Sequence, residues 1–239
     1  MASTAYVRRP WILKVFEGRD EDRIALTEGL GQITYGELQA NVRLFGSAVH
    51  SARQILPGDI AAVVIEPSID FVIAVLGVMR AGAIPAPLDP KSVIADSLRH
   101  LGARSVVVKE GDWDTSSRLR SLPPSVSMIK TTSFLLEGCF LPTGSDNEVP
   151  TQLGDDEVPR WTAASGVLAV STSGKSGQAP KCVVLREAQW QSRMGLPSAV
   201  GEVQLMFGIS PHWAPGLFRV MEAISTGAQT VLSAGPFSP

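Results

Sequence analysis

Residues 57–88 read Pro57-Gly58-Asp59-Ile60-Ala61-Ala62-Val63-Val64-Ile65-Glu66-Pro67-Ser68-Ile69-Asp70-Phe71-Val72-Ile73-Ala74-Val75-Leu76-Gly77-Val78-Met79-Arg80-Ala81-Gly82-Ala83-Ile84-Pro85-Ala86-Pro87-Leu88. Pro57-Gly58-Asp59 is a turn, and Ile60 to Ile65 is a continuous apolar run of the kind found in buried parallel strands. The spacing predicts a helix after Ser68, through Phe71, Val72, Val75, Leu76 and Met79. It is apolar nearly all round, so it is expected to be buried on every side. Gly82 ends it, and Ile84 to Leu88 reads as a short extended segment.

Outward from that unit the rhythm repeats. On the amino-terminal side, Thr34-Tyr35-Gly36-Glu37 has the form of a capping box. Leu38, Val42, Phe45 and Val49 then fall on one helical face. On the other side, a helix over Val93 to Leu101 precedes a strand over Arg104 to Lys109. Strand, helix, strand in this order predicts right-handed crossovers in a mostly parallel sheet, an α/β fold flanked by helices. The segment 111–160 is loop-rich, with strands expected over Val126 to Lys130 and Ser133 to Leu136. Regular structure resumes in the strand Gly166 to Val170, with a last strand over Gln229 to Ser233.

Composition narrows the function classes. The chain has 239 residues, 44% of them hydrophobic and 18% charged, enough apolar matter for a full core. A net charge of −2 gives no electrostatic footprint for nucleic acid or an anionic membrane. The apolar stretch Phe71 to Met79 is too short to span a bilayer. The amino-terminal residues lack the apolar core of a signal peptide, so a cytoplasmic setting is expected. Two cysteines, Cys139 and Cys182, provide no disulfide framework, and three histidines, His50, His100 and His212, make a histidine-built metal site improbable.

The chemistry is concentrated after the strand at Gly166. Ser171-Thr172-Ser173-Gly174-Lys175-Ser176-Gly177-Gln178-Ala179-Pro180-Lys181 joins it to the extended Cys182-Val183-Val184-Leu185. Glycines let backbone approach a phosphate, amide and hydroxyl groups donate to it, and lysine supplies a point charge. An ordinary Ser/Gly hairpin turn has the same composition. Gly174-Lys175-Ser176 also ends a relaxed P-loop pattern. That pattern needs a glycine where Ala169 stands and a helix after Ser176, whereas Pro180 and an apolar strand follow.

The same loop resembles the T-S-G-T-T-G-x-P-K-G loop of adenylate-forming enzymes. That superfamily includes acyl-CoA synthetases, fatty acyl-AMP ligases and the adenylation domains of nonribosomal peptide synthetases. Ile33-Thr34-Tyr35-Gly36-Glu37-Leu38 is similar to its L-T-Y-x-E-L signature, and Pro57-Gly58-Asp59-Ile60-Ala61 to its P-G-D-x-V turn. Val78 to Pro90 is similar to L-K-A-G-A-x-x-V-P-L-D-P. Ser210-Pro211-His212-Trp213-Ala214-Pro215-Gly216-Leu217 and Thr226-Gly227-Ala228 resemble P-x-x-H-x-x-G-L through G-A. Five segments in the right order, from about residue 20 to the carboxyl terminus, carry the resemblance.

The resemblance implies the first part of a large N-terminal adenylate-forming domain over residues 1–239. It implies ATP with magnesium, with Thr172, Ser173, Gly174, Ser176, Gly177 and Lys181 cradling phosphates and His212 and Gly216 bordering a carboxylic-acid pocket. Departures are specific: two residues, Gln178 and Ala179, separate Gly177 from Pro180-Lys181 where the family has one. Lys175 takes a hydroxyl position, Cys182 takes a glycine position, and the spacing of His212 to Gly216 is off by one. The aromatic-T-E and Y-x-T-G-D motifs and the carboxyl-terminal subdomain with its catalytic lysine are missing. The expectation is therefore a truncated or split ligase piece, inactive alone, whose complete form makes an acyl-adenylate from a fatty, aryl or amino acid. Its expected partners are a second chain or another copy of itself, and a carrier protein or coenzyme A as acceptor. The alternative is a non-catalytic remnant that binds or scaffolds a carrier protein or partner enzyme.

Overall fold

The computed structural model describes residues 10–92, 94–111, 122–143, 159, 162, 164–172, 181–194, 202–206 and 209–232. Their elements run α1 (Trp11–Lys14), β1 (Ile24–Glu28), β2 (Gly31–Thr34), α2 (Tyr35–Ser51), β3 (Ile60–Val64), α3 (Ile69–Arg80), β4 (Ile84–Pro87) and α4 (Ile94–Leu101). They continue with β5 (Ser105–Lys109), β6 (Ser127–Thr131), α5 (Phe134–Glu137), β7 (Gly166–Thr172), β8 (Lys181–Arg186), α6 (Glu187–Met194), β9 (Val203–Met206), α7 (Ala214–Thr226) and β10 (Gln229–Leu232).

One sheet has the order β4-β3-β5-β6, a second β2-β1-β10-β9, and β7-β8 forms a hairpin. The first is parallel throughout. The second is parallel except for the β1–β2 hairpin, and it joins the ends of the chain by pairing Leu26 with Thr230. Helix α3 explains how the two sheets share a core. All twelve of its residues are buried, and its apolar side chains lie in one cluster with Leu26 and Ile33 of the second sheet and Val63 and Val107 of the first. A helix without a polar face has to be enclosed on all sides, as the sequence predicts.

The capping box at Thr34 is present with both of its bonds: Glu37 N–H donates to Thr34 Oγ1 and Thr34 N–H to Glu37 Oε2. Such a cap contributes on the order of 1 kcal/mol. Tyr35, next to it, donates its hydroxyl to the Ala228 carbonyl at 2.8 Å. Burial pushes its phenol up to about 12, against the opposing pull of Arg19 and Arg23. The turn at Pro57-Gly58-Asp59 is similarly tied down: Gly58 N–H donates to Gly82 and Ile84 N–H to the Asp59 carbonyl. Several of the segments that carried the family resemblance are thus joints of the fold.

One expectation is corrected, and the P-loop pattern, which the sequence already disfavours, is set aside. Ser133 to Leu136 is not a strand: Phe134–Glu137 forms the helical turn α5. Asp70 accepts from Phe134 N–H and from the Ser133 hydroxyl, which anchors the start of the turn, and Gly138 closes it in the left-handed conformation at φ 69°. The P-loop reading also fails, because β8 begins at Lys181 and pairs back antiparallel on β7, where a P-loop requires a helix. The strand expected over Val126 to Lys130 is β6, shifted by one residue. Most of the loop-rich stretch 111–160 lies outside the described residues.

Candidate functional site

The β7–β8 hairpin sets the position of the phosphate-loop candidates. Its register pairs Val170 with Val183, Ser171 with Cys182 and Thr172 with Lys181. Ala169 and Cys182 pack into the cluster that holds Ala86, Leu88 and Ile94, and Gly166 lies against Ile84 of β4. The strand ends are therefore fixed to the parallel sheet. Lys181, with an exposed side chain, stands at the mouth of the hairpin directly opposite Thr172. Ser173, Gly174, Lys175, Ser176 and Gly177 lie outside the described residues, as does the side chain of Thr172. Burial raises the Cys182 thiol, which marks it as a packed strand residue at neutral pH.

His212 and Gly216 enter from the side of the other sheet, His212 on the segment between β9 and α7 and Gly216 in the first turn of α7. The His212 ring reaches the carboxyl end of β3, where Nε2 lies 2.7 Å from the Ile65 carbonyl. A carbonyl only accepts, so Nε2 carries the proton, and Nδ1 accepts from the Ser210 hydroxyl at 3.1 Å. The ring meets Phe71 edge-on, with centroids 5.0 Å apart. Gly216 permits this fold of the segment, since a Cβ there would lie 2.3 Å from the Ser210 carbonyl oxygen. Carboxyl ends of parallel strands are where open α/β sheets bind ligands.

Burial lowers the affinity of His212 for a proton, and it outweighs the Ile65 carbonyl, Asp89 and Glu66, which act the other way; Lys91 adds to the lowering. Lys91 pairs with Glu66 at 3.4 Å, an exposed contact that contributes little. Sequence reasoning found His212 but not its setting of Ile65, Glu66 and Phe71, which precede it by well over a hundred residues. Because the folded ring binds its proton less well than the ordinary 6.5, the native state holds fewer protons than the unfolded chain below that value. The contribution of His212 is therefore complete above pH 6.5 and is lost as pH falls through the window beneath it. Thermal melts from pH 7 to 5 should show stability falling with acidity, less steeply in His212→Gln; equal slopes for both proteins would refute the assignment.

Among the described residues, no three His, Cys, Asp or Glu side chains converge as a metal site. No described helix is long and apolar enough to cross a membrane.

Known proteins show the family and the fold. The model of the AMP-binding enzyme family matches residues 14–238. The Klebsiella oxytoca NpsA N-terminal subdomain, solved with anthranilyl-AMSN, is 26% identical, covers 99% of this chain and superposes with a TM-score of 0.69, while the match takes up 56% of that chain. An artificially fused adenylation–PCP di-domain from the same organism, NpsA-ThdA, is 25% identical with a TM-score of 0.72 over 98% of this chain and 44% of its own. A naringenin synthase of Pestalotiopsis fici is 37% identical over 116 residues, which is 47% of this chain and 4% of that protein. The chain spans about half of the solved subdomain and a small part of the curated relative.

Proposed function

We propose, from the premise that this chain belongs to the AMP-binding enzyme family, that it supplies the amino-terminal half of an adenylate-forming site. The complete form activates a fatty, aryl or amino acid with ATP and magnesium to an acyl-adenylate and releases pyrophosphate. The observation that carries this reading is the hairpin: a strand held against the parallel sheet ends at Thr172, and the returning strand begins with Lys181 opposite it. One cation beside hydroxyl-rich backbone suits the terminal phosphates of a nucleotide. Lys181, Thr172, Ser173, Gly174, Ser176 and Gly177 are the phosphate-binding set, and His212 and Gly216 border the acid.

The donor set fits a triphosphate better than it fits magnesium, for which the described residues bring no acidic cluster. Adenylation requires several converging groups to position the reactants and to stabilise charge, and the phosphate-binding set is one of them. His212, held neutral between Ile65 and Ser210, orients the segment that lines the acid pocket and is not a general base. The fused adenylation–PCP protein supports a carrier protein as the partner of the complete form.

The test is calorimetry of Mg-ATP with the wild-type chain, Lys181→Ala and Lys175→Ala. Binding at least tenfold weaker in Lys181→Ala, with Lys175→Ala close to wild type, is the expected result. Loss with Lys175 alone would overturn the assignment of the lysine. No binding by any of the three would favour the non-catalytic scaffold.

A further inference from the structure

A cavity of about 580 Å³ opens at the amino ends of β5 and β6, the end of the parallel sheet opposite His212. That volume lies within the range of small-molecule sites. Its apolar side is made by Leu98 of α4, with Pro123 and Val126 ahead of β6. Leu98 is buried, and Val126 packs against the same cluster, which includes Ala62, Val64 and Val106. Its polar side is made by Arg99 in the last turn of α4, Arg104 directly before β5, and Ser125. Among the described residues no acidic side chain lines it.

The backbone around the cavity is hydrogen-bonded to itself. Gly102 N–H donates to the Arg99 carbonyl and Ala103 N–H to the Leu98 carbonyl, closing the end of α4. Arg104 N–H donates to the Ile60 carbonyl, Ser127 N–H to that of Arg104 and Val126 N–H to that of Pro123. Carbonyls that would give the helix end its negative character are thus engaged, and recognition falls to the side chains. Each guanidinium carries five N–H donors and has one acid beside it, Asp96 at 2.8 Å from Arg99 and Asp59 at 3.5 Å from Arg104. Both arginines are mostly exposed, so these pairs are weak and leave donors for a further acceptor.

We propose that this cavity is a second ligand site, at the opposite end of the sheet from the acid pocket, for a small anion with an apolar body. The planar forks of Arg99 and Arg104 take a carboxylate or phosphate head through paired N–H donors. Leu98, Pro123 and Val126 take a ring or a short acyl chain. Charge selects the head: two cations and no acid among the described residues face the space. Concavity selects the size, since two cations in a hollow of a chain with net charge −2 suit one small anion and not a polyanion.

The test is residue-resolved amide NMR of the full chain, titrated with benzoate, phenyl phosphate and the uncharged benzamide. The anions are expected to shift the amides of residues 98–104 and 124–127 saturably, with half-saturation below about 1 mM, and the tighter of the two identifies the head group. Benzamide is expected to bind at least tenfold more weakly. Arg99→Gln with Arg104→Gln is expected to weaken both anions at least tenfold while the rest of the amide spectrum stays in place, because both side chains are mostly exposed. Benzamide binding as tightly as the anions, or anions binding the double variant as tightly as wild type, would overturn the proposal. So would shifts confined to residues 209–217, which would assign the anions to the acid pocket alone, and so would the absence of any shift. No nucleotide is present, so an unsuccessful Lys181 experiment leaves this one standing.

Discussion

Asp70→Ala is expected to lower the free energy of unfolding by about 3–5 kcal/mol, the range for removing one partner of a buried ion pair. Asp70 is 1% exposed in the first turn of α3. Its Oδ2 lies 2.8 Å from Lys109 Nζ of β5 and accepts from the Ser133 hydroxyl, and its Oδ1 accepts from Phe134 N–H at 2.8 Å. One carboxylate therefore joins the central helix, the parallel sheet and the turn α5. Truncation removes the buried countercharge of the partly exposed Lys109 and the acceptor of the buried Phe134 amide together. Asp70→Asn keeps an acceptor for Phe134 N–H and should cost less. Lys109→Met combined with Asp70→Ala should cost less than the sum of the two, because the pair is removed together. Urea unfolding checks all four proteins; a loss below about 1 kcal/mol in Asp70→Ala would show the cluster to be solvated.

Asp70 also shows where reading the sequence succeeds and where it stops. Helix α3 was legible because an uncharged apolar run from Phe71 to Met79 lies between a serine cap and Gly82, so propensity, pattern and burial agree. The Thr34 cap, β3, β5 and the β7–β8 pair were legible for the same reason, each being decided by neighbours in sequence. Ser133 to Leu136 read as a strand because nothing local separates a short apolar strand from a single helical turn; the deciding acceptor is Asp70, 63 residues away. Strand β1 carries a five-residue run whose pairing partner, β10, lies about two hundred residues on, and β9 is only four residues long. Their existence depends on tertiary pairing. In the candidate site, the hydroxyls, glycines and lysine of the loop could be named from sequence. The neutral state of His212 could not, since it depends on the Ile65 carbonyl and on burial against Phe71.

The second large effect is expected at Gly216, and there its sign is informative. Gly216 occupies the first turn of α7, where replacement by alanine would ordinarily stabilise a helix by up to about 1 kcal/mol. The structure predicts the reverse. An added Cβ would lie 2.3 Å from the Ser210 carbonyl oxygen and 2.7 Å from its carbon, contacts with backbone that no rotamer change relieves. Ser210 also accepts from Trp213 N–H and holds the His212 ring, so the whole 209–213 segment must shift. Overpacking of this kind costs about 1–3 kcal/mol. The shift draws His212 away from Ile65 and into water, so its proton affinity should rise towards the ordinary histidine value. Gly216→Ala should therefore melt below wild type, and its His212 ring proton should titrate at higher pH by NMR. Gly216→Val should do both more strongly. If Gly216→Ala proved more stable than wild type with His212 titrating unchanged, helix propensity would have prevailed over packing. The close approach that sets His212 at the end of β3 would then be wrong, and with it the assignment of Gly216 to the border of the acid pocket.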